Sequence, residues 1–175
     1  MNNVQMHASL KKRLFSLLID YLVILGYVLC LLGATLLFYT LFFKEGIPYL
    51  NQLQQNLVSF FTLLFPVYLY FIISEIKNKH ASIGKRKAGI YLASMSGNLQ
   101  LWRILLRDFL KLLPWQMAHM AMFDVLANNS EPTTFFYGCI TIVYGFPLVN
   151  VAFMVFRRDR RALHDIIAGT IVLVE

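Results

Sequence analysis

The residues in this 175-residue chain that could do chemistry are a few polar groups set among apolar ones. Asp20 is the one carboxylate in the run Leu14–Phe43, and Arg13 stands seven residues ahead of it. Seven residues is two helical turns, so the pair would lie on nearly one face, about 10 Å apart along the axis. An acid within a membrane span costs about 2.5–3.5 kcal/mol to insert, so it is paired, hydrated or functional. Counting inward from Leu14 puts Asp20 roughly 9 Å below the inner boundary. Asn150 lies six residues and Gln116 about seven from the inner ends of their own apolar runs, and His119 is one turn deeper. Pro66, Pro114 and Pro147 each leave the carbonyl four residues earlier, at Thr62, Leu110 and Val143, without its helical donor. Carboxylate, amide and freed carbonyl oxygens would suit a hard cation such as Na⁺, and a lone carboxylate can exchange that cation for a proton. The competing reading pairs Asp20 with Arg13, Arg107 or an amide, purely to hold helices together. The residues leave both readings open.

His164-Asp165 is the other pair that invites a chemical role. Adjacent helical residues point about 100° apart, and no second histidine or cysteine stands at ligand spacing, so no metal site is assigned. Asp165 is better placed to pair with a cytoplasmic arginine or cap a helix end, and His164 would add pH sensitivity near neutrality. Arg157, Arg158, Arg160 and Arg161 read as a topology determinant and a lipid-headgroup contact. His7 and His80 lie in ordinary polar segments, and Asp124 falls near an outer helix end, within reach of water. No Walker loop, GxSxG elbow, HExxH helix or dinucleotide fingerprint is present. The chain is therefore read as a non-enzyme, with no catalytic residue, metal or cofactor.

The elements that must position these groups follow from composition. The chain is 58% hydrophobic and only 14% charged, where a soluble domain carries about a quarter charged residues. It reads as an all-α membrane protein with four transmembrane helices, at about 14–43, 57–74, 109–127 and 135–156. Lysines and arginines test this arrangement. Fifteen of the sixteen fall before the first segment, between the second and third, or after the fourth, and only Lys44 falls on the other side. That asymmetry places both termini in the cytoplasm, in the cell (inner) membrane. It also explains the net charge of +7 without nucleic acid. The first run is too long for a signal-peptide core and has no cleavage motif, so it reads as a retained helix. Cys30 and Cys139 lie inside apolar spans and read as small buried hydrophobes. The outer loops, 44–56 and 128–134, are short. The inner loop, 75–107, is the main soluble portion, with Trp102 and Trp115 as interfacial anchors. The C-terminal run Ile171–Val174 is β-branched and follows Gly169, which favours a strand. Its candidate partner is Ala88–Ser94, and a short two-stranded pairing would build a small cytoplasmic cap.

Taken in order, these features resemble the RDD family of small membrane proteins. Arg13 and Asp20 match the family's arginine and aspartate of the first helix, and Asp165, within Arg161-Ala162-Leu163-His164-Asp165, matches its further aspartate. Ser82-Ile83-Gly84-Lys85-Arg86-Lys87-Ala88-Gly89 resembles the glycine–lysine segment after the second helix, and Arg107 the arginine before the third. Ser96 departs from the pattern, where family members often carry an acid before the turn glycine. The resemblance implies a single membrane domain over 1–175. It further implies a small transporter or exchanger of monovalent cations and protons, or a ligand-transporting protein. The alternative is a non-transporting assembly or lipid-interacting protein whose Arg/Asp pairs are structural. Expected partners are membrane lipids, Na⁺ and H⁺ or another small ligand, and a second copy of the chain.

Overall fold

Runs of leucine, phenylalanine and isoleucine with few breakers build four long helices. The computed structural model describes residues 6–43 and 49–175; Lys44, the expected outer-side cation, lies outside the described residues. Helix α1 spans Leu10–Phe42, opened by Ser9, whose hydroxyl accepts the Lys12 N–H at 3.4 Å. Helix α2, Gln52–Ser59, is capped reciprocally by Asn51 and Gln54. It runs through a π-helical turn, Phe60–Leu64, into α3, Phe65–Lys77, giving one continuous helix, Gln52–Lys77. The turn sits just before Pro66, which has no N–H to donate. Tyr27 of α1 donates its hydroxyl to the Thr62 carbonyl that Pro66 leaves free, so this oxygen is occupied by the protein itself.

The short helix α4, Ile83–Lys87, leads into β1, Ile90–Ser94. Helix α5 spans Leu101–Ala127 and α6 spans Thr134–Phe156, capped by Thr133. The short helix α7, Leu163–Ile167, and β2, Thr170–Val174, complete the chain. Two boundaries move from the sequence expectation. The second helix begins at Gln52 because Asn51 caps it, which shortens the outer loop. The third span, expected from about residue 109, begins earlier, since α5 extends back to Leu101 and runs through Pro114. Asp124 is buried rather than hydrated: it accepts the Thr133 hydroxyl and an Asn128 N–H at 3.4 Å, tying α5 to α6. Cys139 is buried, but Cys30 faces outward from α1.

Among the described residues, three helices are long and apolar enough to cross a membrane: Leu10–Phe42, Gln52–Lys77 and Thr134–Phe156. Helix α5 differs. Its uncharged stretch between Lys111 and Asp124 covers only about 18 Å, against a hydrocarbon core of roughly 30 Å. In α1 the buried residues are Ser16, Asp20 and Ile24, one residue per turn on a single stripe, while most leucines of the helix, such as Leu14, Leu22, Leu29 and Leu36, stay exposed.

The cap forms at one end. Strands β1 and β2 pair antiparallel, from Ile90 opposite Val174 to Ser94 opposite Thr170. On the other side of β2 the N-terminal segment adds a third, short pairing: Ala8 N–H donates to Val172 O at 3.1 Å and Val174 N–H to Met6 O at 3.0 Å. Ala8, Ile72, Ile90, Leu92, Ile104 and Val172 form the core beneath. Both terminal segments therefore lie on the same side of the helices.

Candidate functional site

Two polar networks sit where the cap meets the helices. The first centres on Asp20, which is 2% exposed. Its Oδ1 accepts the Tyr70 hydroxyl at 2.8 Å and the Gly84 N–H at 2.9 Å, and its Oδ2 accepts the Ser82 hydroxyl at 2.7 Å. The donors come from α3 and from the start of α4, so Asp20 fastens the cap to α1. Contact this close requires Gly84: a Cβ there would lie 2.0 Å from the Ser16 carbonyl and 2.8 Å from Asp20 Cγ. Neither Arg13 nor Arg107 pairs with Asp20. The heptad offset that suggested the Arg13 pairing keeps one face but leaves two turns of axial separation.

The second network centres on Asp165, which is fully buried. Arg13 Nη1 reaches its Oδ2 at 3.0 Å, and Arg107 Nε its Oδ1 at 2.8 Å. Arg107 Nη1 also meets Asp108 at 2.9 Å and Glu75 at 3.3 Å, and Lys85 pairs with Glu75. Three carboxylates thus face three cations, drawn from α1, α3, α4, α5 and α7. Arg161 binds backbone instead, donating to Thr170 O at 2.9 Å and Asp165 O at 3.0 Å. Not every valence is filled: Arg13 Nε and Nη2, Glu75 Oε2 and Asp108 Oδ2 have no protein partner.

The remaining sequence candidates divide. Asn150 Oδ1 accepts the His164 N–H at 3.3 Å, and its amide donates to Phe146 O at 2.7 Å, so Asn150 ties α6 to α7. Gln116 does not join the layer with Asp20; its Oε1 is buried without a partner. Sequence reasoning missed Tyr70, Glu75, Asp108 and Lys111, and met Ser82 and Lys85 only as part of the glycine–lysine segment, with no site role. One signal was present for the acids: Glu75 closes an apolar run and Asp108 adjoins Arg107, in a chain with only nine acids.

Two cavities share a wall of Leu17, Asp20, Tyr21, Lys111 and Trp115, in which Tyr21 and Trp115 stack at 5.9 Å. One, of ≈ 180 Å³, lies among α1, α3 and α5 and is nearly all apolar. The other, of ≈ 240 Å³, opens between α1 and α6, with Arg13, Lys85, Arg107 and Lys111 in its lining.

The RDD-family model matches residues 7–169, from the first cap pairing to the turn before β2. The chain belongs to the RDD family. RDD proteins are membrane proteins, in keeping with the three long apolar helices. No curated protein and no solved structure matches the chain. In this RDD protein the arginine and the two aspartates that carried the resemblance do not form one site. Arg13 and Asp165 pair with each other, while Asp20 serves the α4 anchor.

Electrostatics on α7 follow from burial and neighbours. Burial opposes ionisation of Asp165, yet His164, Arg107 and Arg13 hold its carboxyl well below the usual range. Burial pushes the His164 imidazole down to about 3; the pull of Asp165, 3.6 Å away, is offset by Arg107, Lys111 and Lys85. His164 is therefore neutral at physiological pH, and the sensitivity near neutrality expected from its sequence position moves to acid.

Proposed function

We propose that this RDD protein is a non-transporting, lipid-interacting protein of the cell membrane, with structural Arg/Asp pairs and no enzymatic chemistry. In this reading α5 is the fourth span, threaded through a bundle whose partners shield its charges. Both termini and the cap are cytoplasmic, as the distribution of basic residues favours. The observation that carries the reading is the environment of Asp20. Three donors from two elements occupy its carboxylate, the arrangement of an anchor. A Na⁺ site draws on free oxygen lone pairs, and hydrogens from Tyr70, Ser82 and Gly84 take three of the about four acceptor positions of the Asp20 carboxylate. Of the four cations lining the neighbouring cavity, Lys111 has no carboxylate within ion-pair distance among the described residues, and its charge opposes the entry of another cation.

One observation favours cation–proton exchange as a second reading: both cavities reach the Asp20 wall. The discriminating experiment reconstitutes the purified protein in liposomes with an internal pH dye and applies Na⁺, Li⁺ or K⁺ pulses. The expected result is no cation-dependent proton movement. Movement in the native protein that disappears in a folded Asp20→Asn variant would overturn the proposal.

A further inference from the structure

We propose that the cavity between α1 and α6 binds the phosphate headgroup of an anionic membrane phospholipid, with Arg13 and Lys111 as its receptors. The inference rests on the lipid-interacting reading above and names its ligand. The charge of the lining comes first. Arg13, Lys85, Arg107 and Lys111 line the cavity, and the only acid among its described lining residues is Asp20, which already accepts three hydrogen bonds from neutral donors. Lys85 and Arg107 are spoken for by Glu75, Asp108 and Asp165. Arg13 is only partly matched, and Lys111 is unmatched. Arg13 makes one contact to Asp165 through Nη1, while its buried Nε and Nη2 have no protein acceptor. Lys111 has no carboxylate within ion-pair distance among the described residues, and its ammonium lies over the Phe71 ring, 3.3 Å from the centroid. Arg13, with two unfilled donors, and Lys111, with no carboxylate partner, are both lining residues of this cavity, and together they favour an acceptor-rich anion such as a phosphate diester.

The walls argue for a lipid as the carrier of that anion. Leu10, Leu14 and Leu17 of α1 face Phe146, Val151 and Met154 of α6 across the opening. Leu14 and Val151 are themselves about half exposed, so the groove continues into the outward apolar surface of the helices. A cationic floor with apolar flanks, at the end of the bundle that carries the basic residues, matches a headgroup with its acyl chains running along α1 and α6.

Trp115 lines the cavity and reports on it, once Trp102 is replaced by phenylalanine. The full chain, purified in mild detergent, is titrated with phosphatidylglycerol or phosphatidylcholine bearing brominated acyl chains, and Trp115 quenching is read. The expected result is a preference for phosphatidylglycerol of about tenfold. That preference should fall to near unity in Lys111→Gln, survive in Lys111→Arg, and survive in Lys79→Gln, which alters an exposed lysine outside the cavity. Equal quenching by the two lipids in the native chain would overturn the proposal, as would loss of preference in Lys79→Gln to the same degree as in Lys111→Gln. Should Lys111→Gln fail to fold, loss of preference in a folded Lys111→Arg would also overturn it. Competition by millimolar inorganic phosphate as effective as that by the lipid would show a soluble anion to be the ligand and overturn the lipid assignment. Cation-coupled flux in liposomes is a separate signal. Its appearance would overturn the proposed function while the Trp115 titration still decides the headgroup site.

Discussion

Removing the carboxylate charge of Asp165 would strand Arg13 and Arg107 together, because both guanidiniums converge on its two oxygens in a fully buried position. Breaking one partner out of a buried pair costs about 3–5 kcal/mol, so Asp165→Asn should lower the melting temperature more than any single change at the surface. The wiring is testable by double-mutant cycles read as thermal melts in detergent. Arg13→Gln and Asp165→Asn should couple by about 0.5–3 kcal/mol, while Arg13→Gln and Asp20→Asn should add within about 0.5 kcal/mol. Coupling of Arg13 to Asp20 instead would refute the two-network description. A pH dependence belongs to the same cluster. Unfolded His164 takes up a proton below its ordinary 6.5, but the folded form does so only near 3. The unfolded state therefore binds more protons throughout that window, and stability falls as the medium is acidified from about pH 6.5. The slope is at most one proton, about 1.4 kcal/mol per pH unit. Asp165, held low in the fold, adds its own loss once the medium passes below the ordinary carboxylate value of 3.8. His164→Gln should flatten melting temperature between pH 4 and 6.5, and an unchanged profile would show that the imidazole is not protected. The identities Arg13, Asp20, Arg107 and Asp165 could be read from the chain because ionisable residues beside apolar runs are conspicuous. Their partners could not, since Arg13 and Asp165 are 152 residues apart and only the fold brings them together.

Helix α4 is where element-level packing is tightest. It has five residues and crosses α1 at Ser16 and Asp20, a crossing that has no room for a side chain at position 84. Gly84→Ala must displace backbone, since the nearest atom is a main-chain carbonyl. It should release the Gly84 bond to Asp20 and expose the inner loop to limited proteolysis. Gly89→Ala offers a control: its φ is +62° but nothing lies within 4 Å, so only the left-handed strain of about 1 kcal/mol applies. Equal proteolysis of the two variants would mean that α4 does not bear on α1 as described. The strand pairing of the cap was legible because Ile171–Val174 is β-branched and too short to span, and because Tyr91-Leu92 lies in an extended-compatible run between turn glycines. The N-terminal addition to that sheet was not legible. Met6-His7-Ala8 has no strand signature, and it pairs only because β2 offers it an open edge. The length of α5 was underread for a related reason. Its charged first half looked like a surface segment, and only tertiary pairing with Glu75 and Asp165 lets it continue as one helix.

At the scale of the molecule, the two terminal segments share a face with every member of the ion network, and the α5–α6 turn lies at the far end. Orientation can be measured with single cysteines after Cys30 and Cys139 are replaced by alanine. Ser130→Cys should react with an impermeant thiol reagent added outside cells, and Lys79→Cys, exposed beside the cap, should react only after permeabilisation. The opposite pattern would invert the topology. Lys85 would be a poor reporter, since it is buried against Glu75. The joining of residues near position 7, near position 92 and near position 172 into one sheet also fixes an order of events during synthesis. The ribosome delivers Arg13 and Arg107 to the membrane long before it releases Asp165. Until then both guanidiniums remain without their shared counter-ion, and the first helices stand in the bilayer with no lid. Nascent chains paused ahead of residue 165 are thus the form of this protein that chaperones and proteases would meet with its charges unmatched, and the closing of the sheet marks the moment when that vulnerability ends.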